Sequence, residues 1–149
     1  MKIREIIETQ NFINRIKLNK FDKDIRLALV KNYPILDKAI KEYNEYRESL
    51  QKKIFEGKDE DITKVQEIRS RLNQKSTFEE IRQAESDLQP YKEFLELEME
   101  FATLITQKLE EDLDLSLSYI NKDEFIENLV KADIDFTFVD LLKINILFE

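Results

Sequence analysis

A stretch of about 35 residues without glycine, residues 76–111, constrains the fold of this chain more than any other feature. Its apolar side chains recur at steps of three and four, which places them on one face of an α-helix. They are Phe78, Ile81, Ala84, Leu88, Tyr91, Leu95, Met99, Ala102, Ile105 and Leu109. Ser76 followed by Glu79 has the spacing of a capping box, so we expect one long helix that starts there.

The first half of the chain predicts three further helices. Isoleucines share one face of residues 3–17, and a shorter apolar stripe follows over residues 62–72. Between them, residues 23–56 carry a seam typical of a coiled coil, at positions such as Leu29, Tyr33 and Leu36. We therefore expect these helices to pack against one another and against the long helix.

The start and end signals of these helices are carried by a few polar and special residues. Asp22 and Asp61 are candidate N-caps, because a carboxylate accepts first-turn N–H groups. Gly57 is the single glycine and predicts a left-handed C-terminal cap. Pro34 and Pro90 lie inside helical patterns, so each predicts a kink or a division of its helix.

The period changes after residue 111. Leu113, Leu115, Leu117 and Tyr119 alternate with polar residues, which predicts a half-buried strand. A short helix over residues 122–131 should follow, capped by Asn121, and Thr137 should cap a last one. The apolar tail, residues 146–148, should be docked. Phe94, Leu97 and Phe101 are the candidate surface for it.

The fold class that these patterns predict is mainly α. We expect one domain over residues 1–149, in which residues 1–111 form a long antiparallel helical hairpin or bundle of coiled-coil type. Residues 112–149 should form a small C-terminal α+β cap packed on it. At 149 residues, such a chain is long enough for one real core.

Composition argues against an enzyme. The chain has no cysteine and no histidine, which removes the commonest nucleophile–base pairs and transition-metal ligands. One glycine cannot build a phosphate-binding loop. No window approaches 18 uninterrupted apolar residues, and the amino terminus does not look like a secretory signal. We therefore expect a non-enzymatic, cytoplasmic protein with no cofactor and no membrane span.

Negative charge is concentrated at the carboxyl end of the chain. The net charge is −8, and residues 93–149 alone carry 4 basic and 15 acidic side chains. Such a surface disfavours direct nucleic-acid binding, because phosphates require neutralising cations. It allows a basic protein surface as partner, or mimicry of nucleic-acid charge, beside the simpler interpretation of a solvated face.

Six acidic residues are candidates for a partner-binding surface. They are Glu96, Glu100, Glu110, Glu111, Asp112 and Asp114. The first two are spaced i, i+4 on one helix face, and the other four could hold a divalent cation weakly, although the ligand order of an EF-hand is missing. Negative charge at a helix C-terminus opposes the helix dipole, so this cluster should meet lysines of the first half or of a partner.

A second candidate surface is basic. Residues 38–53 carry Lys41, Arg47, Lys52 and Lys53 beside Tyr46 on one predicted helix. A basic, aromatic helix face of this kind can contact nucleic acid or an acidic partner. The alternative interpretation is a solvated face with paired charges.

Parts of the chain resemble a known group of proteins. Residues 13–18, 24–32 and 36–43 near the start, with residues 113–117 and 138–143 near the end, form helix and strand patterns in this order. The order resembles a family of small uncharacterised proteins from tailed phages of low-GC Gram-positive hosts, encoded near tail or accessory genes. The resemblance implies a phage or prophage setting and a binding role, and it carries over no site residues.

Three functional hypotheses follow from the sequence. The first is a protein-interaction module that binds a phage or host protein, either as an assembly factor or as an inhibitor of a host defence complex. The second is a nucleic-acid-binding accessory protein that uses residues 38–53. The third, a carboxylate-dependent metal hydrolase, requires three acids that converge in one concave site. A homodimer through the seam of residues 29–54 is also expected to be possible.

Overall fold

The computed structural model describes residues 1–148 and is mainly helical, which confirms the predicted class. The α-helices are α1 (Ile3–Arg15), α2 (Lys23–Ile54), α3 (Asp59–Ser70), α4 (Phe78–Leu88), α5 (Lys92–Leu109), α6 (Lys122–Lys131) and α7 (Phe138–Lys143). Short 3₁₀ turns occur at Leu18–Lys20, Gln89–Tyr91 and Asn145–Leu147. The helix-rich composition, with one glycine, accounts for this content.

The chain forms two compact units. The first consists of residues 1–45 and 107–149, and the second of residues 46–106. The C-terminal third therefore shares a compact unit with the N-terminal helices. This grouping places the acidic residues 110–114 in the same unit as the basic amino terminus.

The first unit has an aromatic core around Phe125. This side chain is fully buried, and its ring lies 5.8 Å from Phe21 and 5.5 Å from Phe148, between ring centroids. Phe12 packs on it at 6.5 Å. The apolar tail is therefore docked, as expected, with Leu147 also fully buried. The predicted docking surface is wrong, because apolar periodicity shows that a residue is buried but not what covers it.

The second unit has its own smaller core. Phe55 lies 5.6 Å from both Phe94 and Phe101, two of the residues that were expected to receive the tail. On the surface of this unit, Arg69 of α3 donates two hydrogen bonds to Glu98 of α5, at 2.9 and 2.6 Å. Two parallel N–H to oxygen contacts make this the geometrically most specific ion pair of the unit.

The predicted long helix over residues 76–111 is divided. Pro90 lies in the 3₁₀ turn between α4 and α5, so the predicted division of the helix at this proline is confirmed. The capping box is one residue later than expected: Thr77 Oγ1 accepts from Glu80 N–H, and Glu80 accepts from Thr77 N–H. Ser76 is not the cap because its hydroxyl accepts the Asn73 N–H in the preceding turn.

Pro34 does not break α2, which continues on both sides of it. Its missing N–H leaves the Val30 carbonyl without its usual donor four residues on. Tyr33 was assigned to the buried seam, but it is 38% exposed, and Asn32 is fully buried instead. Gly57 has φ 72°, as predicted for a left-handed helix end.

The predicted helix caps differ in their outcome. Asn121 accepts two first-turn N–H groups of α6, and Thr137 caps α7, as expected. Asp22 directly precedes α2 and its carbonyl accepts the Arg26 N–H, but its carboxylate accepts hydrogen bonds from Asn128 and Lys131 and not from the first turn. Asp61 lies inside α3, which starts at Asp59, three residues earlier than a helix capped by Asp61 would.

The predicted strand over residues 113–119 is not formed. Within the described residues 1–148, β-type pairing is limited to isolated bridges, Lys2 with Asp112 and Ile120 with Phe148. The α+β description of the C-terminal third is therefore not confirmed within these residues. Isolated bridges lie just before and just after the segment, and within it Leu117 N–H donates to the Leu115 carbonyl at 3.1 Å, which is a γ-turn contact and not a strand pairing.

Candidate protein-docking site

Most of the acidic cluster after α5 is neutralised within the chain. Glu110 pairs with Lys2 and with Arg4, each at 2.7 Å, and Glu111 pairs with Lys108 at 2.6 Å. The hydrogen bond from Lys2 holds the pKa of the Glu110 carboxyl below its ordinary value. The amino-terminal ammonium lies 3.4 Å from Asp112. These acids hold the amino terminus against residues 110–113, in accord with the expected positive neighbours.

The other three acidic candidates are exposed. Glu96 and Glu100 lie on α5 in the second unit, and Asp114 lies in the first unit. None of the three forms an ion pair within residues 1–148. No group of three or more acidic side chains in this part of the chain is placed to hold a metal ion. The six candidates are therefore divided between the two units.

One edge of the extended segment after α5 is paired with the amino terminus. Leu113 N–H donates to the Met1 carbonyl at 2.7 Å, and the Met1 ammonium donates to the Leu113 carbonyl at 3.1 Å. Ile3 N–H donates to the Glu111 carbonyl at 3.2 Å. This reciprocal pattern is that of an antiparallel pair of strands.

The far end of the segment is fixed by a side chain. The amide of Asn32 donates to the Ser118 carbonyl at 2.8 Å and accepts from Ser118 N–H at 2.7 Å. A neighbouring strand satisfies a residue in the same two-bond manner, so Asn32 replaces one residue of a strand. Beyond it, Ile120 N–H donates to the Leu147 carbonyl at 2.9 Å.

The middle of the segment has free backbone groups. Within residues 1–148, the N–H and C=O groups of Asp114 and Ser116 make no hydrogen bond, and both residues are exposed. The side chains of Leu113 and Leu115 pack partly against the core of the first unit. The inward–outward alternation predicted from the sequence is present from Leu113 to Leu117 but fails at Tyr119, which is 53% exposed, and the hydrogen-bonded ladder is absent from the described residues.

A groove lies between this segment and α2. It has a volume of about 580 Å³, within the range of about 300–1,000 Å³ typical of ligand clefts. Its lining is Pro34, Ile35, Lys38, Ala39, Glu42, Leu113, Asp114, Leu115 and Ser116. The groove therefore combines apolar side chains from both walls with charged groups at the rim and free backbone groups along one side.

Sequence reasoning identified Asp114 but not the groove or Asn32. The signal for Asn32 was its position in the helical seam, between Leu29 and Leu36. A polar residue at such a position is buried only when its hydrogen bonds are satisfied. That rule predicts a specific partner, although it does not say which one.

The basic candidate surface on α2 is partly neutralised. Lys41 pairs with Asp37 at 2.8 Å, and this hydrogen bond raises the pKa of Lys41 and lowers that of Asp37. Arg47, Lys52 and Lys53 are exposed and form no ion pair within the described residues. The positive charge available to a partner therefore lies toward the end of the helix.

Comparison with family models, curated proteins and solved structures finds no match to this sequence. Within residues 1–148, none of the helices has a stretch apolar and long enough to cross a bilayer.

Proposed function

We propose that this chain is a non-enzymatic protein-interaction module, encoded by a tailed phage, that acts in the cytoplasm of a bacterial host. The observation that supports it best is the groove between α2 and residues 113–116. A cleft with apolar walls and a polar rim is the usual form of a surface that binds another molecule. Free backbone groups at Asp114 and Ser116 favour another polypeptide as the bound molecule.

The exposed acids extend this proposal. Glu96 and Glu100 on α5 give a basic partner additional contacts, whereas the residues 110–112 are already paired within the chain. The partner is a phage protein if the module assists assembly, or a host protein if it inhibits a defence complex. Coiled-coil pairing of the long helices, within one chain or between two copies, remains part of the proposal.

Site-specific photocrosslinking tests the protein-binding function directly. p-Benzoylphenylalanine is introduced at Ser116 in the groove and, as a control, at the exposed Ser86 of α4 in the second unit. In host cells that carry the phage, we expect a discrete protein adduct from position 116 that position 86 does not give. Identification of the adduct as a phage or a host protein separates the two roles. No adduct, or the same adducts from both positions, would reject the groove as the binding surface.

The nucleic-acid alternative is kept because Arg47, Lys52 and Lys53 are exposed without ion pairs in the described residues. A mobility shift with duplex DNA and single-stranded RNA at low salt tests it. The protein-binding proposal predicts no shift, since phosphate binding is strongest at low salt and would be visible there. A shift that is weakened by Lys52→Ala with Lys53→Ala would support the alternative instead.

A further inference from the structure

We propose that the groove binds an extended segment of another protein, which adds as a β-strand to residues 113–116. This inference rests on the proposed protein-binding function and specifies the form of the partner. It also explains why a segment with the sequence pattern of a strand has no neighbouring strand along its middle within the described residues.

The backbone pattern supports strand addition. In an extended chain, the N–H and C=O groups of alternate residues point to the same edge. Asp114, Ser116 and Ser118 are alternate residues of the segment, and Ser118 is already satisfied by Asn32 of α2. Between them, Leu117 N–H donates to the Leu115 carbonyl at 3.1 Å, a γ-turn bond that directs the N–H and C=O groups of Ser116 away from it. The groove starts beside Asn32, at Pro34 and Ile35. Asn32 therefore supplies the hydrogen bonds of a neighbouring strand to Ser118, whereas the same backbone groups of Asp114 and Ser116 have no partner within residues 1–148.

Hydrogen bonds on the opposite edge of the segment prepare it to pair with an incoming strand. Leu113 is held by Met1 through two hydrogen bonds, so the chain is already extended before a partner arrives. Pre-organisation of this kind lowers the entropy cost of binding. An incoming strand gains main-chain hydrogen bonds from the free edge and specificity from side-chain pockets, as in other examples of strand addition.

The lining of the groove specifies the side chains of the partner. Alternate residues of a strand point to opposite sides, so every second partner residue faces the wall of Pro34, Ile35 and Ala39 and should be apolar. Asp114 is exposed at the rim and has no ion pair in the described residues. A lysine or arginine of the partner opposite Asp114 would complement it.

Charge favours a different protein over a second copy of this chain. Glu110, Glu111 and Asp112 are paired within the chain, but Asp114 on this edge forms no ion pair within residues 1–148, and the whole chain carries a net charge of −8. Pairing of two copies along this edge would bring two acidic segments together, which like-charge repulsion opposes. A basic, alternately apolar segment meets no such repulsion.

The test uses a display library of random ten-residue peptides, from which peptides that bind the whole protein are selected. Selected peptides are synthesised, and each is also made with single N-methyl groups at successive residues, which removes one backbone donor at a time. Binding is measured to the wild type, to Ser116→Pro and to the matched control Ser116→Ala. Ser116 donates no backbone hydrogen bond in the described structure, so the proline variant loses no internal bond.

We expect selected peptides to alternate apolar and other residues and to contain a basic residue. N-methylation should weaken binding at alternate residues only, and Ser116→Pro should weaken it about tenfold, since one main-chain hydrogen bond and its close approach are lost. Ser116→Ala should bind as the wild type does. If Ser116→Pro does not fold, as judged by circular dichroism, binding of the N-methylated peptides to the wild type still tests whether the peptide pairs through its backbone N–H groups.

Three results would overturn strand addition. One is peptide binding at the groove that no N-methyl group weakens, which would indicate side-chain docking and leave the protein-binding function intact. Another is failure to select any peptide, in which case the Ser116 crosslink shows separately whether the groove binds protein at all. The third is dimerisation of the chain, measured by sedimentation, that Ser116→Pro abolishes; the occupant would then be a second copy.

Discussion

At the scale of single residues, Asn32 has the most consequential position in the first unit. It is fully buried, and both of its hydrogen bonds go to the backbone of Ser118. A buried amide without its partners would cost free energy, so the side chain and the extended segment depend on each other. Ser118 is thereby fixed beside α2 while Asp114 and Ser116 remain free.

Asn32→Ala should therefore lower the free energy of unfolding by about 2–3 kcal/mol, because two backbone groups of Ser118 lose their partner and a small void is left. The matched control is Asn44→Ala, at an exposed position of the same helix, which should change it by less than about 0.5 kcal/mol. Urea unfolding of the three proteins measures both. Equal effects at the two positions would contradict the role given to Asn32.

Asp140 predicts a pH-dependent contribution to stability. It accepts hydrogen bonds from Thr137 N–H at 2.9 Å and Thr137 Oγ1 at 2.8 Å, and lies 3.3 Å from Arg15. The backbone hydrogen bond from Thr137 is the main cause that lowers the pKa of Asp140 below its ordinary value. A lowered folded-state pKa gives stability that is complete above the unfolded-state pKa, about 4, and is lost as pH falls through the folded-state pKa.

Asp140→Asn should accordingly be less stable than the wild type at pH 7, because the amide accepts these hydrogen bonds less strongly and carries no charge. The difference between the two proteins should shrink as the pH falls from about 4 through the lowered folded-state pKa, since the wild-type carboxyl is then protonated in both states. Urea unfolding at pH 7 and at pH 2.5 measures it. A difference that stays constant with pH would contradict this account.

At the scale of elements, α2 combines a buried face with one wall of the groove. Pro34 lies on this wall and leaves the Val30 carbonyl without a helical donor. Pro34→Ala should restore that donor and raise the free energy of unfolding by about 1 kcal/mol or more. The same substitution removes apolar surface from the groove, so it should weaken binding of the selected peptides.

Thermal or urea unfolding and peptide titration of Pro34→Ala measure the two effects separately. Ala28→Ser, on the same helix but outside the groove lining, provides a control for peptide binding. A Pro34→Ala protein that is less stable than the wild type would contradict the claim that the missing hydrogen bond at Pro34 lowers the free energy of unfolding. Unchanged peptide affinity would contradict the contribution of Pro34 to the wall.

The elements also show what the sequence could and could not predict. Helical content, the division at Pro90 and the caps at Asn121 and Thr137 were predictable because they depend on local rules. The strand over residues 113–119 was not formed, because a strand needs a neighbour and the alternation of Leu113, Leu115 and Leu117 reports only which side is buried. Tyr33 was misplaced because Asn32, a polar residue, occupies the buried position.

At the scale of the whole molecule, residues far apart in sequence are brought into one unit. Residues 1–45 and 107–149 share a core to which the amino-terminal helix, α6 and the apolar tail contribute. Charge patterning located the acidic cluster, but pairing of Glu110 with Lys2 and Arg4 could not be read from spacing. The groove depends on the same long-range arrangement, so no local motif marks it.

The free edge at Asp114 and Ser116 is the centre of this account, and amide hydrogen exchange at these two residues tests it most directly. The protein is measured alone and with the selected peptide or the crosslinked partner protein, by NMR on isotope-labelled material. We predict fast exchange of both amides in the free protein and slowing of at least about tenfold in the complex, while Ser118 is protected in both states. Amides of Asp114 and Ser116 that exchange equally fast with the groove occupied would contradict it.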